Sequence, residues 1–197
     1  MPTKTSAEEF YDRFASTYDE AVKSPKFDAR HLDEGAKLFQ KYVPSTRGSI
    51  LDIGCGTGLL KELLPGEFDY TGIDVSHNML ERAAQRGYTI IHEPVEEALP
   101  KLPNRSYDFV LALSSLLCVK NIHPVIAHID RIARQSILLS LDQVTEEYKR
   151  NCVVPVYDHS QLDFPHAKED YFIQGWTSPT TGITIQTRMV YIEKAQV

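Results

Sequence analysis

Three glycines at alternate positions, Gly54, Gly56 and Gly58, follow the apolar run Ile50-Leu51-Asp52-Ile53. Glycine has no Cβ, so the backbone here can take positive φ and approach a ligand closely. Leu59, Leu60, Leu63 and Leu64 then open a helical pattern. A strand, a tight glycine turn and a helix start are the parts of a nucleotide-binding crevice. The spacing narrows the choice of nucleotide. A dinucleotide fingerprint is G-x-G-x-x-G, with a third glycine that packs helix on strand. Here the third glycine comes one position early, and position 59 is Leu. Asp52, two residues before the first glycine, opposes a pyrophosphate and attracts an ammonium group, directly or through water. The pattern D-x-G-x-G-x-G therefore favours a zwitterionic nucleoside over a dinucleotide. A second acid, Asp74, ends the run Tyr70-Thr71-Gly72-Ile73, 20 residues after Gly54. A carboxylate there can accept both ribose hydroxyls, although many strands end in Asp as a helix cap.

These residues carry a family resemblance. Segment 49–86 resembles the cofactor-binding half of the class I S-adenosylmethionine (SAM)-dependent methyltransferases, through Leu51-Asp52-Ile53-Gly54-Cys55-Gly56-Thr57-Gly58 and Gly72-Ile73-Asp74-Val75-Ser76, with Met79-Leu80 after them. Ser106-Tyr107-Asp108-Phe109-Val110 resembles the family's fourth strand, and the match covers most of residues 10–141. The resemblance implies S-adenosyl-L-methionine as cofactor. It places the backbone of Gly54, Cys55 and Gly56 around the methionine moiety, Asp74 on the ribose, and Val75 and Met79 on the adenine side. Val95 and Glu96 are expected at the adenine amino group; the acid common two positions before Glu96 is Pro94 here. Asp52, and Leu113 and Ser114 at the end of the fourth strand, complete the expected cofactor-binding set. Tyr11-Asp12-Arg13-Phe14-Ala15 and Tyr18-Asp19 resemble the lid helix of many small-molecule methyltransferases. Tyr11 and Tyr18 are seven apart, hence on one face, where they are expected to close over a sulfonium and exclude water. An amphipathic helix packing its aromatics on the core gives the same spacing. Catalytic candidates are Tyr11, Tyr18 and His159, the last with Asp158 as a possible orienter; a solvated loop histidine is the plainer reading. His123 and His128 are five apart and make no metal pair, and no metal is expected.

The elements that must position these groups alternate. Helices are expected at 7–21 and 28–42. Then come strand 49–53, helix 58–64, strand 69–73, helix 77–86 between Ser76 and Gly87 as caps, strand 88–92 and a short turn at 95–99. Strand 107–113, helix 122–133 and strand 136–141 follow. Residues 151–168 read as a long loop, and 169–175 and 183–193 as two strands around Pro179-Thr180-Thr181-Gly182. The expected fold class is α/β: a doubly wound, seven-stranded, mostly parallel sheet with helices on both faces and a C-terminal antiparallel hairpin. Residues 1–197 are expected to form a single domain, with lid and cap helices at 1–45, the SAM-binding core at 46–141, and a substrate-side loop and edge hairpin at 142–197. The lone Trp176 is expected to pack rather than bind a ligand.

Composition limits the function classes. The chain has 197 residues, 42% hydrophobic and 24% charged, enough for one core. No apolar run approaches the roughly 20 residues of a membrane span, and no signal-peptide core is visible. The net charge of −6 speaks against a nucleic-acid partner. Three cysteines without a C-x-x-C pair suit a reducing cytoplasm, with no disulfide or zinc framework. After the fourth strand stands Ser114-Ser115-Leu116-Leu117-Cys118, not the Asn/Asp-Pro-Pro-Tyr/Phe turn of base methylation. The Lys-Pro-Gly-Gly turn frequent before strand five is also replaced, by Arg131-Ile132-Ala133-Arg134-Gln135-Ser136. The expectation is a monomeric or homodimeric methyltransferase acting on a small-molecule O or N acceptor by in-line displacement. A non-catalytic SAM-binding partner and a nicotinamide oxidoreductase are the alternatives.

Overall fold

A computed structural model describes residues 4–24, 30–174, 177–178 and 181–195; Trp176, Pro179, Thr180 and the first two residues of the expected second helix lie outside them. Helix α1 spans Ala7–Lys23. Ser6 caps it, its side chain accepting from the Glu9 amide, with Glu8 and Glu9 in the first turn and Lys23 in the last, as the helix dipole favours. Helix α2 spans Arg30–Tyr42 and strand β1 Arg47–Ile53. The elements then alternate as helix α3 (Leu60–Leu63), strand β2 (Glu67–Asp74), helix α4 (His77–Gln85), strand β3 (Thr89–His92) and helix α5 (Val95–Ala98). Strand β4 (Tyr107–Leu113), helix α6 (Ile122–Ile132), strand β5 (Ala133–Asp142), helix α7 (Glu146–Asn151) and strands β6 (Glu169–Ile173) and β7 (Thr187–Glu193) complete the order.

The seven strands form one sheet in the order β3-β2-β1-β4-β5-β7-β6. β7 alone runs against its neighbours, pairing antiparallel with both β5 and β6. This is the expected mostly parallel sheet with a C-terminal hairpin, with β7 inserted beside β5 and β6 at the edge. Successive strand residues divide between two cores, as a two-sided sheet requires. Ile50, Leu111 and Leu138 face α2, α3 and α4, where they meet Phe39, Leu60 and Leu80. Leu51, Val110 and Ile137 face α5 and α6, where they meet Ala98, Val125 and Ile129. A third cluster joins Leu117, Tyr148, Val154 and Ile185 outside the sheet.

Winding proceeds from β1 outward to β3, then restarts at β4 in the other direction. The reversal opens a crevice at the carboxyl ends of β1 and β4, where open α/β sheets bind ligands. The expected helix 58–64 shrinks to four residues, because Gly58 holds φ at +80° and delays its start. The expected caps of α4 stand: Ser76 accepts from the Met79 amide, and Gly87 follows the helix at φ +84°. Helix α7 was not expected. Its signal was present, since Thr145 caps it ahead of Glu146 and Glu147, with Lys149 and Arg150 in the last turn.

Candidate active site

The crevice contains a cavity of about 320 Å³. Its floor is the turn after β1. Gly54 and Gly56 sit at φ +66° and +52°, a region costly to residues with a Cβ. A Cβ on Gly54 would lie 2.2 Å from that of Ser115, so the loop passes the Ser115 side chain only because it carries no Cβ there. The Gly54 and Cys55 amides donate to the Ile73 carbonyl at 2.7 and 3.1 Å, tying the loop to β2. The Cys55 thiol fills the space left by Gly72, where a Cβ would stand 2.5 Å from its Sγ.

Two carboxylates flank this floor. Asp74 accepts the Gly56 amide on Oδ2 and the Ser76 amide on Oδ1, both at 2.9 Å. Burial pushes its pKa up, against amide bonds from Ser76, Gly56 and Val75 that favour the charged form. Beyond these amides the carboxylate keeps lone-pair capacity for a hydroxyl donor. Asp52 is 4% exposed and accepts from the Tyr88 hydroxyl at 3.1 Å. Burial pushes its pKa up to about 7; the Tyr88 hydrogen bond opposes that, and the Asp74 charge adds to it. A buried carboxylate in this condition favours a cationic neighbour.

The roof is α1. Tyr11 and Tyr18 both line the cavity, and they also pack edge-on against Phe10 and Phe14. The stripe thus faces the cavity and packs on the aromatics of its own helix. Burial raises both phenol pKa values, so the hydroxyls stay protonated at neutral pH.

The acids beside these tyrosines serve a purpose that was not read from the sequence. Asp12 accepts the Ser76 hydroxyl at 2.6 Å and the Asn78 amide at 3.1 Å, which hold its carboxyl below the usual range. Asp19 accepts from Thr57 Oγ1 at 2.6 Å, Arg82 Nη2 at 2.8 Å and Arg86 Nη2 at 2.7 Å. Burial opposes the Asp19 charge, but Thr57 and the two guanidiniums outweigh it and lower its pKa. The tyrosines therefore face the cavity while the neighbouring acids fasten the helix to α4 and the glycine loop.

Every expected cofactor residue lines the cavity: Tyr18, Asp52, Gly54, Cys55, Gly56, Asp74, Val75, Met79, Val95, Glu96, Leu113 and Ser114. Ser114 sits at φ +51° and donates its amide to Ser140 Oγ at 2.6 Å. His159 lies elsewhere. It is buried rather than solvated, with Nε2 2.8 Å from the Val119 carbonyl oxygen. Asp158 does not orient it; its Oδ1 accepts the Ser160 amide. The imidazole that does line the cavity is His31, 6% exposed near the start of α2. No spacing in the sequence ties position 31 to the glycine loop, because the contact is made by helix packing. Among the described residues no metal-binding cluster of His, Cys, Asp or Glu is present, and no helix is long and apolar enough to cross a membrane.

With this geometry in place, the relatives are informative. Residues 51–139 match the family described as Methyltransferase domain. Phosphatidylethanolamine N-methyltransferase of Cereibacter sphaeroides is 31% identical over 100 residues, 48% of this chain and 49% of that protein. Methyltransferase-like protein 27 of Homo sapiens is 34% identical over 116 residues, 54% of this chain and 45% of that protein. The chain thus spans about half the length of these relatives. Magnesium protoporphyrin IX methyltransferase from Synechocystis, solved with bound S-adenosylhomocysteine (SAH), superposes with a TM-score of 0.68 at 15% identity, over 95% of this chain and 97% of that one. The chain has the fold of the class I, Rossmann-like SAM-dependent methyltransferases. More particularly, residues 51–139 are similar to the methyltransferase-domain family.

Proposed function

We propose that the protein is a methyltransferase that moves a methyl group from S-adenosylmethionine to a small-molecule O or N acceptor by in-line displacement. One observation carries this reading. A single cavity is lined at once by the glycine loop, the two carboxylates Asp52 and Asp74, and the tyrosine face of α1. The residues fit a zwitterionic, cationic nucleoside: the raised pKa of buried Asp52 marks a carboxylate that an ammonium would stabilise. When bound, S-adenosylmethionine supplies an electrophilic methyl on a sulfonium.

In this reading Asp52 attracts the ammonium, and Gly54, Cys55 and Gly56 accommodate the methionine chain. Asp74 accepts the ribose hydroxyls on its open lone pairs. Val75 and Met79 pack on the adenine, with Val95 and Glu96 at its amino edge. Tyr11 and Tyr18 exclude water and face the positive charge with π-rich rings. Much of the rate comes from holding the acceptor in line, since orientation alone reaches effective molarities of about 10⁵–10⁸ M. His31 takes the place that His159 was expected to fill. It lines the cavity as an imidazole, a group able to take a proton from an acceptor hydroxyl, whereas both phenols stay protonated.

The experiment is a thermal-shift screen with S-adenosylmethionine, S-adenosylhomocysteine and NADH, followed by turnover of labelled S-adenosylmethionine on a metabolite panel. Stabilisation by the first two compounds and not by NADH, with label transfer, supports the reading. Stabilisation by NADH alone overturns it.

A further inference from the structure

Tyr88 follows Gly87 at the end of α4, where its amide donates to the Ala83 carbonyl at 3.1 Å. The chain then enters β3 directly. This delivers the Tyr88 ring into the core, where it is buried among Cys55, Leu80 and Ala83. Two glycines form its seat. A Cβ on Gly58 would stand 2.9 Å from Tyr88 Cε2, and one on Gly72 would stand 2.9 Å from Tyr88 Cδ1. Gly58 also holds a positive φ, whereas Gly72 is ordinary β2 backbone. At Gly72, then, packing against Cys55 and Tyr88 is what excludes a side chain. The ring also packs on that of Tyr70, with centroids 4.9 Å apart.

So seated, Tyr88 donates its hydroxyl to Asp52 Oδ2 at 3.1 Å. Burial and the Asp52 charge push the phenol pKa up, so it stays a donor at neutral pH. Asp52 lines the cofactor-side cavity and Tyr88 does not; the phenol reaches a ligand through the carboxylate. Asp52 needs such a donor, because burial and the neighbouring Asp74 charge both favour its protonated form. The other titratable groups around it are Tyr70 on β2, Cys55 in the loop and Tyr18 on α1, and burial keeps all three protonated. His31 of α2 lines the same cavity. Lys61 of α3 donates to the Gly87 carbonyl and lies over the Tyr70 ring. A hydrogen bond to the charged form of a carboxylate favours that form, and one that engages Oδ2 leaves Oδ1 for a cation.

We propose that Tyr88 is a positioning residue of the cofactor site: seated between Gly58 and Gly72, it holds Asp52 charged and oriented to receive the ammonium of the bound nucleoside. The inference rests on the methyl-transfer reading above and adds the residue that readies Asp52 for it.

The test is calorimetric titration of the full chain and its Tyr88→Phe variant, which keeps the ring and removes the hydroxyl. The probes are S-adenosylhomocysteine and 5′-methylthioadenosine, a nucleoside thioether without the amino-acid end. A hydrogen bond to a charged group is worth about a factor of ten. The ionised fraction of Asp52 at pH 7, about half in the wild type, then falls to about a tenth. S-adenosylhomocysteine affinity is expected to fall about fivefold at pH 7, and the deficit to shrink below about twofold at pH 8.5. 5′-Methylthioadenosine affinity should be unchanged at both pH values, which also shows the site to be folded. In an Asp52→Asn background, Tyr88→Phe should have little further effect on either probe. An S-adenosylhomocysteine deficit that is the same at both pH values, or that persists in Asp52→Asn, overturns the inference in favour of loop packing. So does an equal loss of both probes, and so does unchanged binding of both. Failure of S-adenosylhomocysteine to bind the wild type overturns the methyl-transfer reading instead, so the two failures are distinguishable.

Discussion

Gly56 donates its backbone N–H to Asp74 Oδ2 at 2.9 Å, so the glycine loop and the acid at the end of β2 form one hydrogen-bonded unit. The other oxygen receives the Ser76 amide, at the start of α4. Asp74 thus shapes the loop as well as offering lone pairs to a ribose. Asp74→Ala removes both contributions. Hydrogen bonds to a charged group are worth about 1.5–3 kcal/mol, so S-adenosylhomocysteine affinity should fall by about 100-fold in calorimetry. Hydrogen exchange at the Gly56 amide should accelerate as well. Unchanged affinity would remove Asp74 from the ribose site; unchanged exchange would remove it from the loop.

The clamp at Asp19 gives a separate expectation. Its carboxylate gathers Thr57, Arg82 and Arg86 from the loop and α4. Asp19→Ala leaves two guanidiniums without that partner and should cost about 2 kcal/mol of stability. Because α1 roofs the cavity, KM for S-adenosylmethionine should rise more than kcat falls. The sign with pH follows from the lowered pKa. The native carboxylate is favoured over the unfolded one, so its stabilisation is present above the ordinary Asp pKa of about 4. It is lost as pH falls through the lowered native value. Urea midpoints of the wild type and Asp19→Ala should therefore converge toward low pH.

How far the sequence reaches depends on the range of the signal. The glycine loop, Asp52 and Asp74 were legible because their chemistry is local: alternate glycines, an acid at a strand end, a fixed separation. The alternating cores were legible from apolar strands such as 107–113. The role of Asp12 and Asp19 was half visible, since acids follow both tyrosines at the same seven-residue spacing; their partners on α4 were not. His31 and His159 mark the limit. Both are single histidines with no pattern around them, and only the packing of α2, and of the loop beside Val119, assigns one to the cavity and the other to the interior.

Asp52 sets a pH dependence of the opposite sign. Burial raises its pKa to about 7, so the native state holds a proton that the unfolded chain has released. Stability from this group is therefore full below about pH 4 and declines as pH rises toward 7. Asp52→Asn should make the ligand-free protein more stable at pH 8, by an amount on the order of a few kcal/mol, while weakening S-adenosylmethionine binding. A bound ammonium lowers the Asp52 pKa, so binding near pH 6.5 should release up to roughly one proton. Calorimetry in buffers of different ionisation enthalpy measures that proton. Uptake rather than release would place the ammonium away from Asp52.

The two histidines separate chemistry from architecture. His31 lines the cofactor-side cavity, and His159 does not, its Nε2 instead lying 2.8 Å from the Val119 carbonyl oxygen. General-base catalysis is typically worth about 10²–10⁴-fold. With any hydroxyl acceptor that the label screen identifies, His31→Gln should lower kcat by about that range, with KM for S-adenosylmethionine little changed. His159→Gln should leave kcat near the wild-type value and lower the melting temperature, because a buried carbonyl loses its partner at a cost of about 1–3 kcal/mol. A loss of kcat in His159→Gln with His31→Gln fully active would invert the assignment. Equal, small effects in both would mean that acceptor deprotonation uses neither imidazole and that positioning alone carries the rate.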